Sequence, residues 1–502
     1  MLSPFLSDPS SKSPAMLPAT RRLLGALVLL HFVLGGFFGL SVDEAHYALY
    51  ARHLALSYFD HPPLVGWIQW PLVALDAPVA LLRTVAELLW LGTALLVHAV
   101  AVRLSGPETD ASRAGFFAVL IFALAPLLHV LGIGLLPDTL LMFFSIALMW
   151  LTLDLMRAPS LLRTRLWLVL GLLLGLAGLS KYTAILVALP VAVCLLQAHG
   201  ATLLRNPRLW LAAALALLLV LPVALWNYRN DWISFRYQAA HGAGSVWLWS
   251  NWLRFMALQL LAYGPLLLGG LFVHRLTPTV RPWVLKAFFV LPFLVLSGLS
   301  GGGSSLPHWS APAWVTIAPL AGLAWQRVRS VIWRKVLAAL ACAQALLCAG
   351  LFALMLTAGQ PLLGVDDPAR PNPFADLHGW DEAGRTAGAL ARQQQLSGVA
   401  VQNWTLASRL GWYARPLPVY VLEDRFDQFD LWAGDLPIGA DTLLVDWSAM
   451  SYEVPVGAGA FADCRLLQTQ EVLRFGRRVS GFRFYACHAW GGRPAPRLQE
   501  HP

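Results

Sequence analysis

Residues 21–47 read RRLLGALVLLHFVLGGFFGLSVDEAHY. Two arginines precede an apolar run that reaches Leu40, and two carboxylates, Asp43 and Glu44, follow at once. The run lacks a clear small-x-small cleavage site, so it reads as a retained membrane span rather than a cleaved leader. Arginines at one end and acids at the other also give it a direction. The arginine end is cytoplasmic by the positive-inside bias.

The rest of the chain extends this reading. Of its 502 residues, 58% are hydrophobic and 13% are charged, about half the charged share of a soluble domain. Mean hydropathy is +0.61. A span takes roughly 20 apolar residues. By that measure eleven are expected, near 23–40, 80–102, 114–132, 138–156, 166–180, 182–199, 209–226, 252–273, 284–299, 312–325 and 336–357. The fifth and tenth are short. Loops carrying Arg103 and Arg113; Arg157, Arg163 and Arg165; Arg205 and Arg208; Arg275, Arg281 and Lys286; and Arg327, Arg329, Arg334 and Lys335 all fall on the Arg21–Arg22 side. The other side receives 41–79, the Pro137-Asp138 turn, Lys181, 227–251, 300–311 and everything after 357. The loop 41–79 is semi-apolar, which suggests short helices at the membrane interface. The 22 Trp suit interfacial belts.

After 357 the pattern changes. A helix-like stretch at 380–395 precedes a strand-like Val399-Ala400-Val401, a second helix-like stretch at 404–414, and strand-like runs at 418–422, 442–446, 466–475 and 481–487. This reads as a soluble α/β domain over 358–502 behind a membrane domain over 1–357, with a linker marked by Pro361 and by Pro368 to Pro373. Residues 358–502 hold 13 Arg, no Lys and 16 acidic residues, so the chain's excess of +9 lies in the hydrophobic part. That placement speaks against nucleic acid as a partner. Cys464 and Cys487 form a disulfide if this domain is extracytoplasmic; two buried thiols are the alternative.

The polar residues on the outer side fall into groups. Asp43 and Glu44 read either as a general base or as a solvated turn at the end of a span. Tyr58-Phe59-Asp60-His61-Pro62-Pro63 has its backbone held by the paired prolines. Its carboxylate and imidazole suit a divalent metal or a phosphate-facing acid/base pair; an interfacial turn with a bonded His is the plainer reading. Asp138 reads as a cavity carboxylate or as a helix cap. Lys181 at membrane depth needs a partner, such as a lipid-borne phosphate, or else snorkels to the interface. Residues 226–238 then mix Asn227, Arg229, Trp232 and Gln238, with His241 beyond, and Arg254 and His308 add to them. Amides, arginines and aromatic faces in one loop suit a sugar or a phosphate. An aromatic belt explains the Trp and Tyr but not the amides. No Walker A sequence, Rossmann glycine pattern or zincin motif is present. A nucleotide cofactor is therefore not expected, and a donor arriving through the bilayer fits.

In order, Asp-Glu-Ala-x-Tyr at 43–47, Tyr-Phe-Asp-His-Pro-Pro-Leu at 58–64, Pro-Asp at 137–138, Gly-Leu-Ser-Lys-Tyr at 178–182 and Trp-Asn-x-x-Asn-x-Trp at 226–232 resemble bacterial members of glycosyltransferase family 39. That family includes protein O-mannosyltransferases and lipid A aminoarabinose transferases. The resemblance runs from about 23 to 320 and continues in Ala407-Ser408-Arg409-Leu410 and Gln428-Phe429-Asp430-Leu431-Trp432. It implies a mainly α, polytopic C-type glycosyltransferase fold in a bacterial inner membrane. It also implies a polyprenyl-phosphate-sugar donor and an extracytoplasmic acceptor that is lipid, glycan or protein. Asp43 resembles the catalytic carboxylate, with Glu44 beside it and Asp138 as a second carboxylate. Lys181 resembles the residue that holds the lipid phosphate; His61, Arg229 and Arg254 are expected as further phosphate contacts from their own chemistry and position, not from the resemblance. Asp60 matches an acidic position at a divalent metal, with His241 as a second ligand. His61 departs from the aminoarabinose branch, which has Lys there. Tyr58, Asn227, Trp232, Gln238 and His308 are the expected substrate contacts. A membrane transporter or lipid flippase is the rival reading; it predicts the internal repeats that these spans do not show.

Overall fold

The computed structural model describes residues 15–495 apart from 107–108, 245, 275, 277–281, 304, 361 and 363–371. Arg275, Arg281 and most of the proposed linker lie outside the described residues. Among those described, seven helices are long and apolar enough to cross a membrane, or nine if each of two bent pairs is one span. The chain is a multi-pass membrane protein, mainly helical, with a small sheet. The expected fifth and tenth spans are the short helices Thr164–Ser180 and Ala311–Gln326. The expected third and eighth are not continuous. Ala111–Ala123 and Pro126–Ile133 meet at 80°, and Trp249–Tyr263 and Pro265–Phe272 at 94°. In both cases a proline opens the second piece; it supplies no N–H and disfavours helix at the residue before it.

The short helix Thr164–Ser180 is held by close approach rather than by length. A Cβ on Gly171 would sit 2.5 Å from the Ala212 carbonyl, and one on Gly175 would sit 2.5 Å from Leu219. These small residues let the helix lie directly against Pro207–Arg229, which is how apolar helices associate in lipid.

The segment 41–79 forms two short helices, Val42–Arg52 and Leu64–Ala74. The first is closed by Ser41, whose side chain accepts the Glu44 N–H while Glu44 returns to the Ser41 N–H; this reciprocal cap ends the loop cleanly. Most of it is buried within the protein. Ala45, Ala48 and Leu49 share one core with Leu406, Leu410 and Phe429 from the C-terminal part.

The C-terminal part is an α/β layer. Its strands are β1 Val399–Val401, β2 Val419–Val421, β3 Thr442–Trp447, β4 Asp463–Arg474 and β5 Arg477–His488. The order is β2-β1-β3-β5-β4. β1 runs parallel to β2 and β3, whereas β5 pairs antiparallel with β3 and β4. Cys464 and Cys487 face each other across β4 and β5 and form a disulfide. Arg409 is buried between the rings of Trp380 and Trp447, at 3.9 and 5.1 Å, and ion-pairs with Asp376. Burial lowers its guanidinium to about 9. That sandwich fixes the helix Trp404–Tyr413, which Asn403 caps by accepting the N–H groups of Thr405 and Leu406.

Candidate active site

A cavity of about 440 Å³ lies where the Asp43 helix, the 58–63 turn, the helix Ile233–Ala243 and the C-terminal layer meet. It has two characters. One wall is aliphatic, with Ile185, Leu186, Val295, Leu296 and Leu299 from the helices Ala184–His199 and Pro282–Ser300. The other is polar and includes Asp43, Asp60, His61, Lys181, Gln238 and His308.

Asp43 faces the cavity from the first turn of its helix. His46, Tyr47 and Tyr50 follow at the spacing that shares one helical face. Burial raises the Asp43 carboxyl to about 6; the nearby His46 and Lys181 oppose the shift, and Asp60 and Asp138 add to it. Asp60 behaves in the opposite way. Burial alone pushes it up, but the His46 and Tyr50 contacts hold it well below the usual carboxylate range. The Tyr50 hydroxyl donates to Asp60, and His46 Nε2 stands 3.7 Å from the same carboxylate. The other ring nitrogen of His46 lies 3.0 Å from Ser408 Oγ. Because Ser408 donates to the Trp404 carbonyl, the His46 Nδ1–H is the donor in that contact. Gln238 Nε2 donates to the Asp60 carbonyl at 2.6 Å.

Lys181 and Asp138 form the buried floor. The ammonium donates to both carboxylate oxygens at 2.7 Å. The Trp309 ring lies 5.6 Å from Lys181 Nζ. His308 Nε2 is 3.8 Å from Asp138, and burial lowers this imidazole to about 4. Burial also lowers His61 to about 4, so at neutral pH it is an uncharged hydrogen-bonding group rather than a cation for phosphate. Its Nδ1 is buried without a partner among the described residues.

Several expected site residues are elsewhere. Glu44 does not line the cavity. Its two oxygens take Arg83 Nε and Nη2 at 2.8 and 3.0 Å, and Arg83 also donates to the carbonyls of Gly35, Phe38 and Gly39. Tyr58 is fully buried under the stacked Tyr50 ring and donates to the Tyr50 and His53 carbonyls. Asn227 is also buried, accepting the Ser234 N–H and donating to the Val223 carbonyl. Trp232, Arg229 and Arg254 are exposed. These residues set the shape of the loops around the cavity and do not reach it.

Among the described residues no three His, Cys, Asp or Glu side chains stand close enough to hold a metal ion. Asp60 is taken up by Tyr50 and His46, and the His241 ring stacks on Tyr237 at 5.4 Å. The described residues therefore do not complete a protein ligand set for the divalent metal expected at Asp60 and His241.

Four contributors were not singled out from the sequence, His46, Trp404, Arg425 and Asp427, and Gln428 was quoted only within a motif and given no role. His46 was visible in principle, three residues after Asp43 on the same face. Asp427 caps the short helix Gln428–Trp432, a signal present in Asp427-x-x-Asp430. Gln428 Oε1 accepts the Phe59 N–H at 2.8 Å, a tertiary bond that no local pattern announces.

Comparison with known proteins agrees with this architecture. Residues 60–226 match the family described as dolichyl-phosphate-mannose-protein mannosyltransferase. The resemblance to glycosyltransferase family 39 read from the motifs holds in both sequence and fold. Over 250 residues the chain is 29% identical to lipid A galacturonosyltransferase RgtD of Rhizobium johnstonii, a match covering 49% of this chain and 50% of that protein. The chain thus spans about half the length of that relative. The crystal structure of ArnT from Cupriavidus metallidurans in the apo state superposes with a TM-score of 0.62 at 18% identity, over 92% of this chain and 98% of that one. The same protein bound to undecaprenyl phosphate matches equally well.

Proposed function

We propose that this chain is a membrane glycosyltransferase that takes a sugar from a polyprenyl-phosphate carrier and passes it to an extracytoplasmic acceptor. The cavity carries the reading. Segments scattered from 43 to 308 supply one carboxylate raised toward neutrality, one buried ammonium and an aliphatic wall in a single space. The names of the relatives support it: RgtD is a galacturonosyltransferase, and ArnT has been seen with undecaprenyl phosphate.

The isoprenoid tail lies along Ile185, Leu186 and the Val295–Leu299 face, and the phosphate reaches Lys181. The Lys181 ammonium carries three protons, of which two go to Asp138; the third is available to a phosphate oxygen. Asp43 takes the proton from the acceptor hydroxyl or amine as its lone pair attacks the anomeric carbon. The new glycosidic bond forms while the bond to the phosphate oxygen breaks, in one inverting displacement, and polyprenyl phosphate leaves. A preorganised cation at the departing phosphate is the larger electrostatic aid. Eleven crossings would set 41–79, 227–251 and the C-terminal layer on the extracytoplasmic side of a bacterial inner membrane, and the Cys464–Cys487 disulfide suits an oxidising compartment.

The test is radiolabelled sugar transfer from a purified lipid donor by the reconstituted chain. The expected result is label in an acceptor and release of polyprenyl phosphate. Movement of intact donor across the bilayer without bond cleavage would instead establish the flippase reading.

A further inference from the structure

The proposed reaction leaves the C-terminal wall of the cavity without a role. That wall comes from the segment after β2. Arg425 and Asp427 line the cavity beside Gln428. Arg425 Nη2 lies 3.2 Å from the Tyr237 hydroxyl, and its guanidinium carbon is 5.8 Å from the centre of that ring. Among the described residues no carboxylate lies within ion-pair distance of Arg425, whereas Lys181, the other permanent cation on the lining, is bound to Asp138. Asp427 is 4% exposed. Its Oδ1 accepts the Phe429 N–H at 2.7 Å, and its Oδ2 is buried with no partner among the described residues.

A buried acceptor left unpaired is costly, so an orphaned carboxylate oxygen beside a guanidinium with no carboxylate partner among the described residues marks a space shaped for a ligand. The ligand must offer an anion to Arg425 and a hydroxyl or amine proton to Asp427. The lipid donor does not fit this description at this position. Its tail needs the aliphatic wall, and Lys181 adjoins Tyr182, Thr183, Ile185 and Leu186 on that wall, so its phosphate belongs at the floor.

Resting on the glycosyl-transfer reading, we propose that Arg425 and Asp427 form the acceptor subsite, and that the acceptor is a saccharide bearing a phosphate or carboxylate next to a free hydroxyl or amine. Arg425 grips the anion through two parallel N–H groups, a geometry that favours arginine over lysine. Asp427 orients the neighbouring polar group. The C-terminal layer thus selects the acceptor, and the membrane helices hold the donor.

Binding to the full chain in nanodiscs tests this with three probes: undecaprenyl phosphate, lipid A, and lipid A stripped of its phosphates. Wild type is expected to bind lipid A at least tenfold more tightly than the stripped form. Arg425→Gln should abolish that preference and leave undecaprenyl phosphate affinity unchanged, and Arg425→Lys should restore part of it. Asp427→Asn keeps an oxygen for the helix cap and should weaken both lipid A forms alike. Lys181→Gln should weaken undecaprenyl phosphate alone. Equal binding of the two lipid A forms by wild type, no binding of either, or an Arg425→Gln chain that keeps the preference overturns the proposal. So does Arg425→Gln losing undecaprenyl phosphate, which would assign the arginine to the donor. Failure of the wild type to bind undecaprenyl phosphate is a separate outcome; it strikes the donor reading and with it the premise of this subsite.

Discussion

Asp43 and Glu44 are neighbours on one helix, about 100° apart around its axis, and they sit in two different kinds of polar cluster. Around Glu44 the cluster is closed. Arg83 forks onto the carboxylate and spends its remaining N–H groups on backbone carbonyls. Around Asp43 the cluster is open. Its carboxylate faces a cavity, and His61 Nδ1 and Asp427 Oδ2 have no partners among the described residues. Both clusters carry the desolvation cost of charge in an apolar chain. In one, the protein's own groups offset it; in the other, the offset is left to a ligand. Residue type alone does not separate the two acids. Their pairing does.

The comparison breaks most directly at the two acids. Asp43→Asn should cut sugar transfer by roughly 10²–10⁴-fold, the usual worth of a general base, while thermal unfolding in detergent stays at the wild-type temperature. Glu44→Ala should do the reverse. Removing one partner of a buried ion pair strands Arg83, at a cost of roughly 3–5 kcal/mol, so melting temperature and yield should fall while the chains that fold keep their turnover. A Glu44→Ala chain that unfolds like wild type, or an Asp43→Asn chain that transfers normally, would erase the distinction.

A pH series sharpens it. Burial raises the Asp43 carboxyl to about 6. A base must be deprotonated to act, so with acceptor saturating, where Asp427, which burial raises to about 7, does not limit binding, transfer should be flat above that pH and fall about tenfold per unit below it. The Asp43→Asn chain should show no such limb. Asp60, held below the usual range, stays ionised throughout and adds nothing to it. A wild-type profile that begins to fall only near pH 4 would return Asp43 to the ordinary carboxylate range and weaken its claim to the role.

How much of this was legible follows from what each feature depends on. Hydropathy and arginine placement are local properties, and so the spans near 80–102, 138–156 and 336–357 are read almost as they stand. The breaks at Pro126 and Pro265 sit inside runs whose hydropathy never drops, which is why those spans read as straight. In the C-terminal layer, period and punctuation were enough to find every strand, but not the helix Gln428–Trp432, which is too short to show a period. Asp43, Asp60, Lys181 and His308 could be placed at the cavity because polar groups between apolar runs are conspicuous. Arg425 and Asp427 lie in a segment where charge is ordinary, so only tertiary contact gives them meaning. Glu44 was over-read for the complementary reason: its partner, Arg83, is 39 residues away.

The smallest expected effect tests that last lesson. Arg229 and Arg254 were expected at the donor phosphate because cations near aromatics and amides suit an anion. Both are exposed in the structure, at the end of Pro207–Arg229 and in Trp249–Tyr263. An exposed cation shares its charge with water and salt, and its pair interactions amount to about 0–1 kcal/mol. Arg229→Gln and Arg254→Gln should therefore change undecaprenyl phosphate affinity by about twofold or less, well below the effect of Lys181→Gln. Should either arginine match Lys181 in size, the donor phosphate sits higher and nearer the rim than the aliphatic wall implies. The boundary between the donor half and the acceptor half of the cavity would then have to be redrawn around it.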